Sequence, residues 1–528
     1  MHLRVNRPLL SPAQQGPPER NPTGRYRLGR EITTTRHPLT SETLGLHAAR
    51  VEIPSYDRSA LVPAVVHISV GSFHRSHQAV YFDELARRGV LDWGIVGVGH
   101  RRRDMQEALA AQDNLYTVLE RGADGDRARI VGAMVDYLFA PDDPAAVVRR
   151  LADPRTRLVT LTVTARGYCI DPASRRFDPD APDIVGDLTD PTRPRSALGF
   201  IVEGLARRRR AGLPGFTVLS CDNMPEGGAV TRSAVVGYAR LRDAALADWI
   251  DASVSFPSSM VDRITPQTTP EDRELVAREF GVDDRWPVVT EPFSQWVIED
   301  AFCNGRPPLE LAGARFVPDV RPYALTKTRL LNAAHCALGY LGSLAGLERT
   351  DEAMEDAIFG TYVERLMRVE IAPQLPSVPG IDLPSYRRAL LARLSNPAIG
   401  DPLRRLCRGG SGKMPCHVLP SIAGARSRGR PHPLLTLAVA GWVRYLRGVD
   451  EQGREIHIND ALADRLRVLA APGSDNLRPL LAQRALFGRL GDDPAFVFEL
   501  RAALRRIERD GARAAVAAAV DAWEPLAA

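Results

Sequence analysis

Lysine is the residue that this 528-residue sequence most nearly lacks. Lysine and arginine together occupy 69 positions, yet lysine stands only at 327 and 413. Either cation serves on a solvated surface, but a guanidinium keeps its proton in a protein, whereas an ammonium can be tuned to lose it. The two lysines are therefore the first candidates for chemistry.

Cysteine and long apolar runs are also scarce. The six cysteines form no CxxC pair, which indicates free thiols in a reducing cytoplasm. No apolar stretch reaches about 18 residues, and residues 1–20 lack the apolar core of a secretory signal. We therefore expect a soluble, cytoplasmic protein that is neither exported nor bound to a membrane.

Metal-binding and nucleic-acid-binding patterns are missing as well. The chain has no HExxH and no clustered cysteines, and His74 and His77 have no obvious third ligand, so we predict no metal. These two histidines are expected to bond locally at a helix start. The net charge of +5 is spread along the chain, with acids among the arginines. This arrangement argues against a nucleic-acid partner.

The chain is long enough for two large domains, with 44% hydrophobic and 25% charged residues. Residues 1–38 are rich in Pro, Arg, Gln and Thr, which predicts a disordered tail; a transit peptide is the alternative. Residues 39–321 alternate strands with helices such as 196–211 and 229–240, which predicts a largely parallel, doubly wound α/β sheet. Residues 322–528 have almost wholly helical periodicity, which marks a second, mainly α-helical domain.

A strand, a glycine turn and a helix follow one another from Val65. The apolar run VVHISV is broken by Gly71, and SFHRSHQAVYFDELARR then has helical periodicity. Amide groups at such a helix start attract a pyrophosphate, although Ser69 stands where the usual fingerprint has glycine. A tight turn without a ligand is the alternative. The candidate cofactor contacts are Gly71, Ser72, Phe73, His74 and Arg75.

The second strand, WGIVGVG from Trp93, ends in HRRRD. In dinucleotide folds an acid at this position bonds the ribose 2′-hydroxyl of NAD, and an arginine accommodates the 2′-phosphate of NADP. Asp104 therefore predicts NAD, and Arg101 with its two arginine neighbours makes NADP a further possibility. A solvated charged turn is the alternative.

Two later strands lead toward polar candidates. Strands are predicted at 158–163 and 216–219, and the second runs into SCDNMPEGG. This places Asn223 at a carboxyl end of the sheet, where ligands bind. The loop FPSSMVDRITPQT carries Asp262 and Arg263, which taken alone are expected to form a surface ion pair.

Lys327 lies on a predicted helix, YALTKTRLLNAAHCALGYLGSLAGL. On a helix Lys327, Asn332 and His335 fall within an arc of roughly 140°, so one pocket can receive all three. A stripe of leucines would bury this helix and lower the pKa of the lysine, as a general base requires. A surface lysine with ordinary core or capping partners is the alternative.

A second polar cluster follows in LRRLCRGGSGKMP, which sets Arg405 on a helix and Lys413 in a glycine loop. The letters GSGK suggest a phosphate-binding P-loop. That interpretation fails because Cys407 replaces the first glycine and Met414 the Ser/Thr.

These stretches together resemble the polyol-specific long-chain dehydrogenase/reductase family. The matching segments are VHISVGSFHRSHQAVY, WGIVGVG, SCDNMPEGGAVTR, FPSSMVDRITP, WPVVTEPFSQWV and PSVPGIDLPSY, together with Lys327, Asn332 and His335. The resemblance runs from about Leu39 to near the C-terminus. It implies a Rossmann-type N-terminal domain, a mainly helical C-terminal domain and a metal-independent, NAD(P)-linked interconversion of a sugar alcohol and a ketose, of the mannitol/fructose type. Family members are often monomeric, so a monomer or weak homo-oligomer is expected.

The resemblance also implies roles by position. Lys327 would be the general base, while Asn223 and Asn332 would hold the oxygen that is oxidised. His335 would orient the substrate. The remaining hydroxyls would be contacted by Asp262, Arg405 and Lys413.

Several residues depart from the family pattern. Alanines at 165, in TARGY, and at 324 stand where family members carry glutamate, and NAAH replaces NGSH. Loss of the two carboxylates would alter proton exit from Lys327 and its pKa. Arg166 would suit a carboxylated substrate, so a fructuronate or tagaturonate reductase is the nearest alternative. A degenerate relative that binds nucleotide or sugar without turnover is the other.

Overall fold

Among the residues that the structure describes, the strands end at Val317. The structure, a computed structural model, describes residues 35–171 and 176–522. Within these ranges the strands are β1 (His37–Pro38), β2 (Val65–Ile68), β3 (Ile95–Gly99), β4 (Tyr116–Gly122), β5 (Gly125–Val131), β6 (Met134–Phe139), β7 (Leu158–Leu161), β8 (Thr217–Ser220), β9 (Ser259–Asp262), β10 (Val282–Asp283), β11 (Val288–Thr290), β12 (Gln295–Glu299) and β13 (Arg315–Val317).

Helices connect these strands. In this half of the chain they are α1 (Leu44–His47), α2 (Ser72–Ser76), α3 (Gln78–Arg87), α4 (Arg103–Ala110), α5 (Pro144–Ala152), α6 (Thr164–Gly167), α7 (Pro182–Thr189), α8 (Ala197–Arg210), α9 (Gly227–Arg242), α10 (Ala244–Ser253) and α11 (Pro270–Phe280). The predicted helices at 196–211 and 229–240 correspond to α8 and α9 and are confirmed.

Five of the strands form a parallel sheet in the order β6-β3-β2-β7-β8. Strands β2, β3, β7 and β8 are buried along their whole length, as expected where helices cover both faces. The predicted doubly wound sheet is confirmed. Its strands β2 and β7 are two residues shorter than predicted, and β2 ends because the chain turns at Ser69.

The remaining strands form three small sheets, β11-β4-β5, β13-β12-β9 and β1-β10. Strand β1 pairs in parallel with β10, His37 beside Val282 and Pro38 beside Asp283. The last residues of the predicted disordered tail are therefore part of a sheet, which corrects its boundary. The rest of that tail, residues 1–34, lies outside the described residues.

From Arg321 to residue 522 the regular elements are helices, joined by turns and loops. The α-helices are α12 (Arg321–Lys327), α13 (Ala333–Leu344), α14 (Thr350–Glu355), α15 (Ala357–Arg365), α16 (Leu383–Leu394), α17 (Leu403–Leu406), α18 (Gly410–Lys413), α19 (Leu419–Ser427), α20 (Pro433–Tyr445), α21 (Ala463–Ala470), α22 (Arg478–Leu481), α23 (Arg484–Phe487), α24 (Pro494–Asp510) and α25 (Ala512–Asp521). Three π-helical segments interrupt them, Thr328–Asn332, Leu366–Ile371 and Met414–Val418.

Helices α13 and α20 form the centre of this half and are buried almost throughout. A Cβ at Gly441 of α20 would lie 2.7 Å from Leu341 of α13, so the glycine allows the two helices to approach closely. None of the helices in the described ranges combines the length and apolar character that a membrane crossing requires. All six cysteines are free thiols, as predicted.

Candidate active site

A cavity of about 440 Å³ lies between the carboxyl ends of β2 and β8 and the helices of the second half. Eleven of the residues selected from the sequence line it: Gly71, Ser72, Phe73, His74, Asn223, Asp262, Lys327, Asn332, His335, Arg405 and Lys413. The fold thus brings the nucleotide-loop candidates and the substrate-domain candidates to one place.

The helix that carries Lys327 is not regular. Lys327 ends α12, the π-helical segment Thr328–Asn332 follows, and α13 then begins at Ala333. In a π-helix the hydrogen bonds join residues five apart, which is the spacing of Lys327 and Asn332. The two side chains therefore lie about one turn apart on one face, closer than a regular α-helix would place them.

The Lys327 amine is buried and hydrogen-bonded. Its side chain is only 6% exposed, and Nζ donates to Oδ1 of Asn223 over 2.8 Å. Burial lowers the pKa of Lys327; Asp262 opposes this effect, while Arg393 and Arg405 add to it. A lowered pKa makes it easier for this amine to lose its proton and accept another, as a general base must.

Asn332 and two imidazoles form the wall beside the lysine. Nδ2 of Asn332 lies 3.5 Å from Nε2 of His417, and Nε2 of His335 is buried with no hydrogen-bond partner in the described chain. Burial lowers the pKa of His335 well below its usual range and that of His417 to about 3. Both rings are therefore neutral and offer a donor or acceptor to a ligand.

Arg405 and Lys413 form the far wall of the cavity. Arg405 pairs with Asp401, and Nζ of Lys413 donates to the carbonyl of Leu406 over 2.9 Å. Lys413 ends the helical turn α18, which follows Gly409 in the left-handed conformation. This corrects the prediction that Lys413 lies in a glycine loop.

Asp262 does not pair with its neighbour Arg263. Its two oxygens accept hydrogen bonds of 2.8 and 2.9 Å from Arg393, and Arg263 pairs with Glu120 instead. Asp262 is 4% and Arg263 6% exposed, so the expected surface ion pair is wrong. Each of the two charges is therefore taken up by a partner that is distant in the sequence.

The backbone of the nucleotide loop is left-handed at Ser69, the position at which the usual fingerprint has glycine. Ser69 has φ of 74°, in the left-handed region where glycine is favoured. A Cβ at Gly71 would meet only the carbonyl oxygen of Ser69, at 3.9 Å, so the space above this residue is open. A second cavity of about 960 Å³ adjoins the first at Ser69, Val70 and Thr162. Together the cavities are large enough for a dinucleotide.

Two cofactor candidates are not brought to these cavities. The Arg75 guanidinium is buried and donates to the Trp286 carbonyl, because its helix turns it toward the core. Asp104 is exposed and its carboxylate binds Arg102. Neither Arg75 nor Asp104 lines either of the two cavities. Arg101 does line the larger cavity, and no hydrogen bond or ion pair engages its side chain within residues 35–171 and 176–522.

The sequence reasoning missed two residues that contact the predicted ones. His417 stands four positions after Lys413 and one turn away, a spacing that could have indicated it. Arg393 is one arginine among many, and no local pattern distinguishes it; only its pairing with Asp262 and Glu291 does so.

The substituted positions lie at the edge of the site. Ala165 and Arg166 are exposed on α6, and neither lines a cavity. Ala324 is partly buried on α12, one turn before Lys327. Arg166 therefore does not line the cavity that holds Lys327, although its neighbours Thr164 and Gly167 line the larger one.

Two family models match the chain. The mannitol dehydrogenase Rossmann domain matches residues 63–311, and the mannitol dehydrogenase C-terminal domain matches residues 319–508. The mannitol 2-dehydrogenase of Phaeosphaeria nodorum is 44% identical over 505 residues, covering 94% of this chain and 88% of its own. A mannitol dehydrogenase of Saccharomyces cerevisiae is 44% identical over 494 residues, covering 92% of this chain and 98% of its own.

Solved structures agree with these matches. The Pseudomonas fluorescens mannitol 2-dehydrogenase, in ternary complex with NAD and D-mannitol, superimposes with a TM-score of 0.86 at 42% identity, covering 92% of this chain and all of that one. A substrate-free D-sorbitol dehydrogenase superimposes with a TM-score of 0.82 at 36% identity, covering 90% of this chain and all of that one. The chain therefore belongs to the mannitol dehydrogenase family of polyol dehydrogenases, as its sequence motifs predicted.

Proposed function

We propose that this protein is an NAD-dependent oxidoreductase that interconverts a sugar alcohol and a ketose, of the mannitol/fructose type, with Lys327 as general base and no metal. The observation that carries the proposal is the buried Lys327 amine, 2.8 Å from Asn223, in the cavity that adjoins the nucleotide loop. The relatives that are mannitol dehydrogenases support the substrate class.

Lys327 handles the proton of the reacting hydroxyl. Burial favours the neutral amine, whose lone pair can accept that proton during oxidation. In the reverse direction the resulting ammonium returns the proton to the ketose oxygen. Because Asn223 already accepts one hydrogen bond from Nζ, the amine is held in place and its lone pair is directed elsewhere.

The two asparagine amides stabilise the reacting oxygen. The Asn223 carbonyl faces the lysine, which leaves its NH2 group as a donor toward the cavity. Nδ2 of Asn332 has only the 3.5 Å contact with His417, so its protons are available as well. Each donor aimed at a developing oxyanion contributes about 3 kcal/mol to transition-state stabilisation.

The residues around the two cavities fit a nicotinamide dinucleotide. The left-handed turn at Ser69, the open space over Gly71 and the adjoining large cavity lie at the carboxyl edge of the parallel sheet, where such cofactors bind. When bound, the nicotinamide supplies the acceptor for the hydride of the carbinol carbon. Arg101, which has no partner in the described chain, is the residue that would bind the 2′-phosphate if NADP is also used.

The metal-free part of the proposal rests on the donor set. Lys327 is the proposed base. The amides of Asn223 and Asn332 are the proposed donors to the oxyanion, a charge that a metal ion acting as a Lewis acid can also stabilise. We also propose that the protein works in the reducing cytoplasm, since its six cysteines are free thiols, and that it is a monomer or weak homo-oligomer.

A substrate panel tests the proposal. NAD(P)H absorbance is followed with mannitol and sorbitol in the oxidative direction, and with fructose, fructuronate and tagaturonate in the reductive direction. Turnover of a polyol–ketose pair supports the proposal. A clear preference for the hexuronates would favour the uronate reductase, and cofactor binding without turnover of any substrate would show a degenerate relative.

A further inference from the structure

Arg393 joins the two halves of the chain beside the lysine. It lies on α16, and its guanidinium forms one bidentate pair with Asp262, at the end of β9, and a second with Glu291, directly after β11. The side chains of Arg393, Asp262 and Glu291 are 6%, 4% and 2% exposed. The guanidinium also lies 4.0 Å from the ring centre of Phe293. A buried cation is thus held between two carboxylates on the substrate side of the cavity.

Asp262 is the charged residue that most strongly affects the pKa of Lys327. Both residues line the smaller cavity. Burial raises the pKa of Asp262, but the attraction and hydrogen bonds of Arg393 together with the attraction of Lys327 and His77 oppose it, and the net pKa is lowered, so the carboxylate is ionised. An ionised carboxylate free to turn toward the amine would bind it as an ammonium.

We propose that Arg393 is a positioning residue of this active site: its guanidinium holds the Asp262 carboxylate across the domain boundary and keeps it from capturing the Lys327 amine. Both oxygens of Asp262 are engaged by Arg393, whereas Lys327 donates to the neutral Asn223. Each oxygen keeps a second lone pair for a substrate hydroxyl. The inference rests on the proposed role of Lys327 as base.

The other charged and titratable groups around the amine do not replace this effect. His77, His335 and His417 are buried, and burial lowers the pKa of each, so these rings are neutral. Arg405 is compensated by Asp401. Asp222 and Lys413 stand on other walls of the same cavity, and Asp222 is bound by Tyr168 and two backbone amides. Among the described residues that line this cavity, Asp262 is therefore the carboxylate whose release from Arg393 would trap the lysine.

The scarcity of lysine allows a direct test that needs no turnover. Protein labelled with ¹⁵N-lysine contains only two side-chain amines, and Lys413→Arg assigns the remaining signal to Lys327. The pKa of Lys327 is read from its ¹⁵Nζ shift in wild type and in Arg393→Gln/Glu291→Gln, in which Asp262 alone keeps its charge. We expect the pKa to rise by about 1–3 units in the double variant. An unchanged value in the folded double variant would overturn the proposal.

Matched variants separate this effect from loss of structure. Glu291→Gln alone keeps the Arg393–Asp262 pair, so the Lys327 pKa should stay the same or fall slightly. Adding Asp262→Asn to the double variant should reverse the rise. If the double variant does not fold, Arg393→Gln alone, which frees Asp262 without adding a third lysine, should still raise the pKa, and no rise there would overturn the proposal.

Steady-state kinetics supply a second readout, because a higher Lys327 pKa should slow oxidation at low pH but favour reduction at high pH. A higher Lys327 pKa lowers kcat/KM for oxidation about tenfold per unit on the acid limb, yet extends reduction to higher pH because the ammonium persists. A purely structural lesion would lower both rates at every pH. Absence of all activity in wild type would reject the proposed function instead, while the ¹⁵N titration would still report on Arg393.

Discussion

Lys327 donates a hydrogen bond of 2.8 Å to Oδ1 of Asn223, a residue 104 positions earlier in the chain and on the other side of the cavity. The lysine comes from a helix of the second half and the asparagine from the loop after strand β8 of the parallel sheet. The contact therefore joins the proposed base to a proposed oxyanion donor, and both depend on how the two halves pack. The following predictions test this arrangement.

Removing the lysine amine should abolish turnover and spare the cofactor. Lys327→Ala is expected to lower kcat by a factor of about 10² to 10⁴, as loss of a general base does, with little change in the dissociation constant of NADH measured by fluorescence. Lys413→Met offers a comparison within the same cavity and should mainly raise KM. Near-normal kcat in Lys327→Ala would reject the lysine as base.

A negative charge introduced at position 223 should shift the pH at which oxidation becomes fast. In Asn223→Asp a carboxylate replaces the amide at the lysine, so the pKa of Lys327 rises and the acid limb of kcat/KM moves up by about 1–3 units. Asn223→Ala removes the donor without adding charge and should lower kcat about 10² to 10³ fold. Identical pH profiles for the two variants would contradict the assignment.

The strained backbone at Ser69 should be relieved by glycine. A non-glycine residue in the left-handed conformation destabilises the fold by about 1–2 kcal/mol. Glycine removes this strain, but it loses about 0.5–1 kcal/mol because its unfolded chain has more conformational entropy. Ser69→Gly is therefore expected to raise the free energy of unfolding by about 0.5–1 kcal/mol in urea titrations. Ser72→Gly, at a position with helical backbone angles, should instead lower it. A loss of stability in Ser69→Gly would mean that the serine side chain is needed there.

Acid should destabilise the fold well above the carboxylate range. Burial lowers the pKa of His67, His77 and His417 to about 3 each, whereas the unfolded chain takes up these protons near pH 6.5. The stability present above pH 6.5 is therefore lost as the pH falls toward 3, by about 1.4 kcal/mol per pH unit for each imidazole. Urea titrations at pH 8, 7, 6 and 5 measure the slope. His77→Gln should reduce this slope by the contribution of one imidazole, about 1.4 kcal/mol per pH unit. Constant stability from pH 7 to 5 would contradict the prediction.

Chelation should leave the enzyme active. Dialysis against EDTA followed by assay with the preferred polyol is expected to give unchanged kcat, and added Zn²⁺ or Mg²⁺ should not increase it. The physical reason is that the proposed base and oxyanion donors are an amine and two amides. Loss of activity that a divalent ion restores would show that a metal participates.

Much of the fold and most of the candidate site can be read from local patterns. Apolar β-branched runs predicted the strands of the parallel sheet, because residues buried on both faces must be apolar. The near absence of lysine pointed to Lys327 and Lys413, which do line one cavity. Asn223 was found because ligands bind beyond the carboxyl ends of parallel strands. Each of these signals is short in sequence and has one physical cause.

The candidate residues that the fold does not bring to the cavities have the opposite property. Arg75 and Asp104 were assigned from their distance to a motif, but helix rotation and an ion pair with Arg102 decide where these side chains go. The π-helical turn between Lys327 and Asn332 has no signature in the residues themselves.

The sequence by itself determined the elements, their order, the family and the lysine that we propose as the base, because these follow from periodicity, composition and local motifs. Only the tertiary structure decided which charges meet: Asp262 binds Arg393, 131 residues away, rather than the adjacent Arg263. The physical reason is that a buried carboxylate requires a counter-ion, and the packing of distant segments, rather than adjacency in the sequence, decides which cation lies within reach.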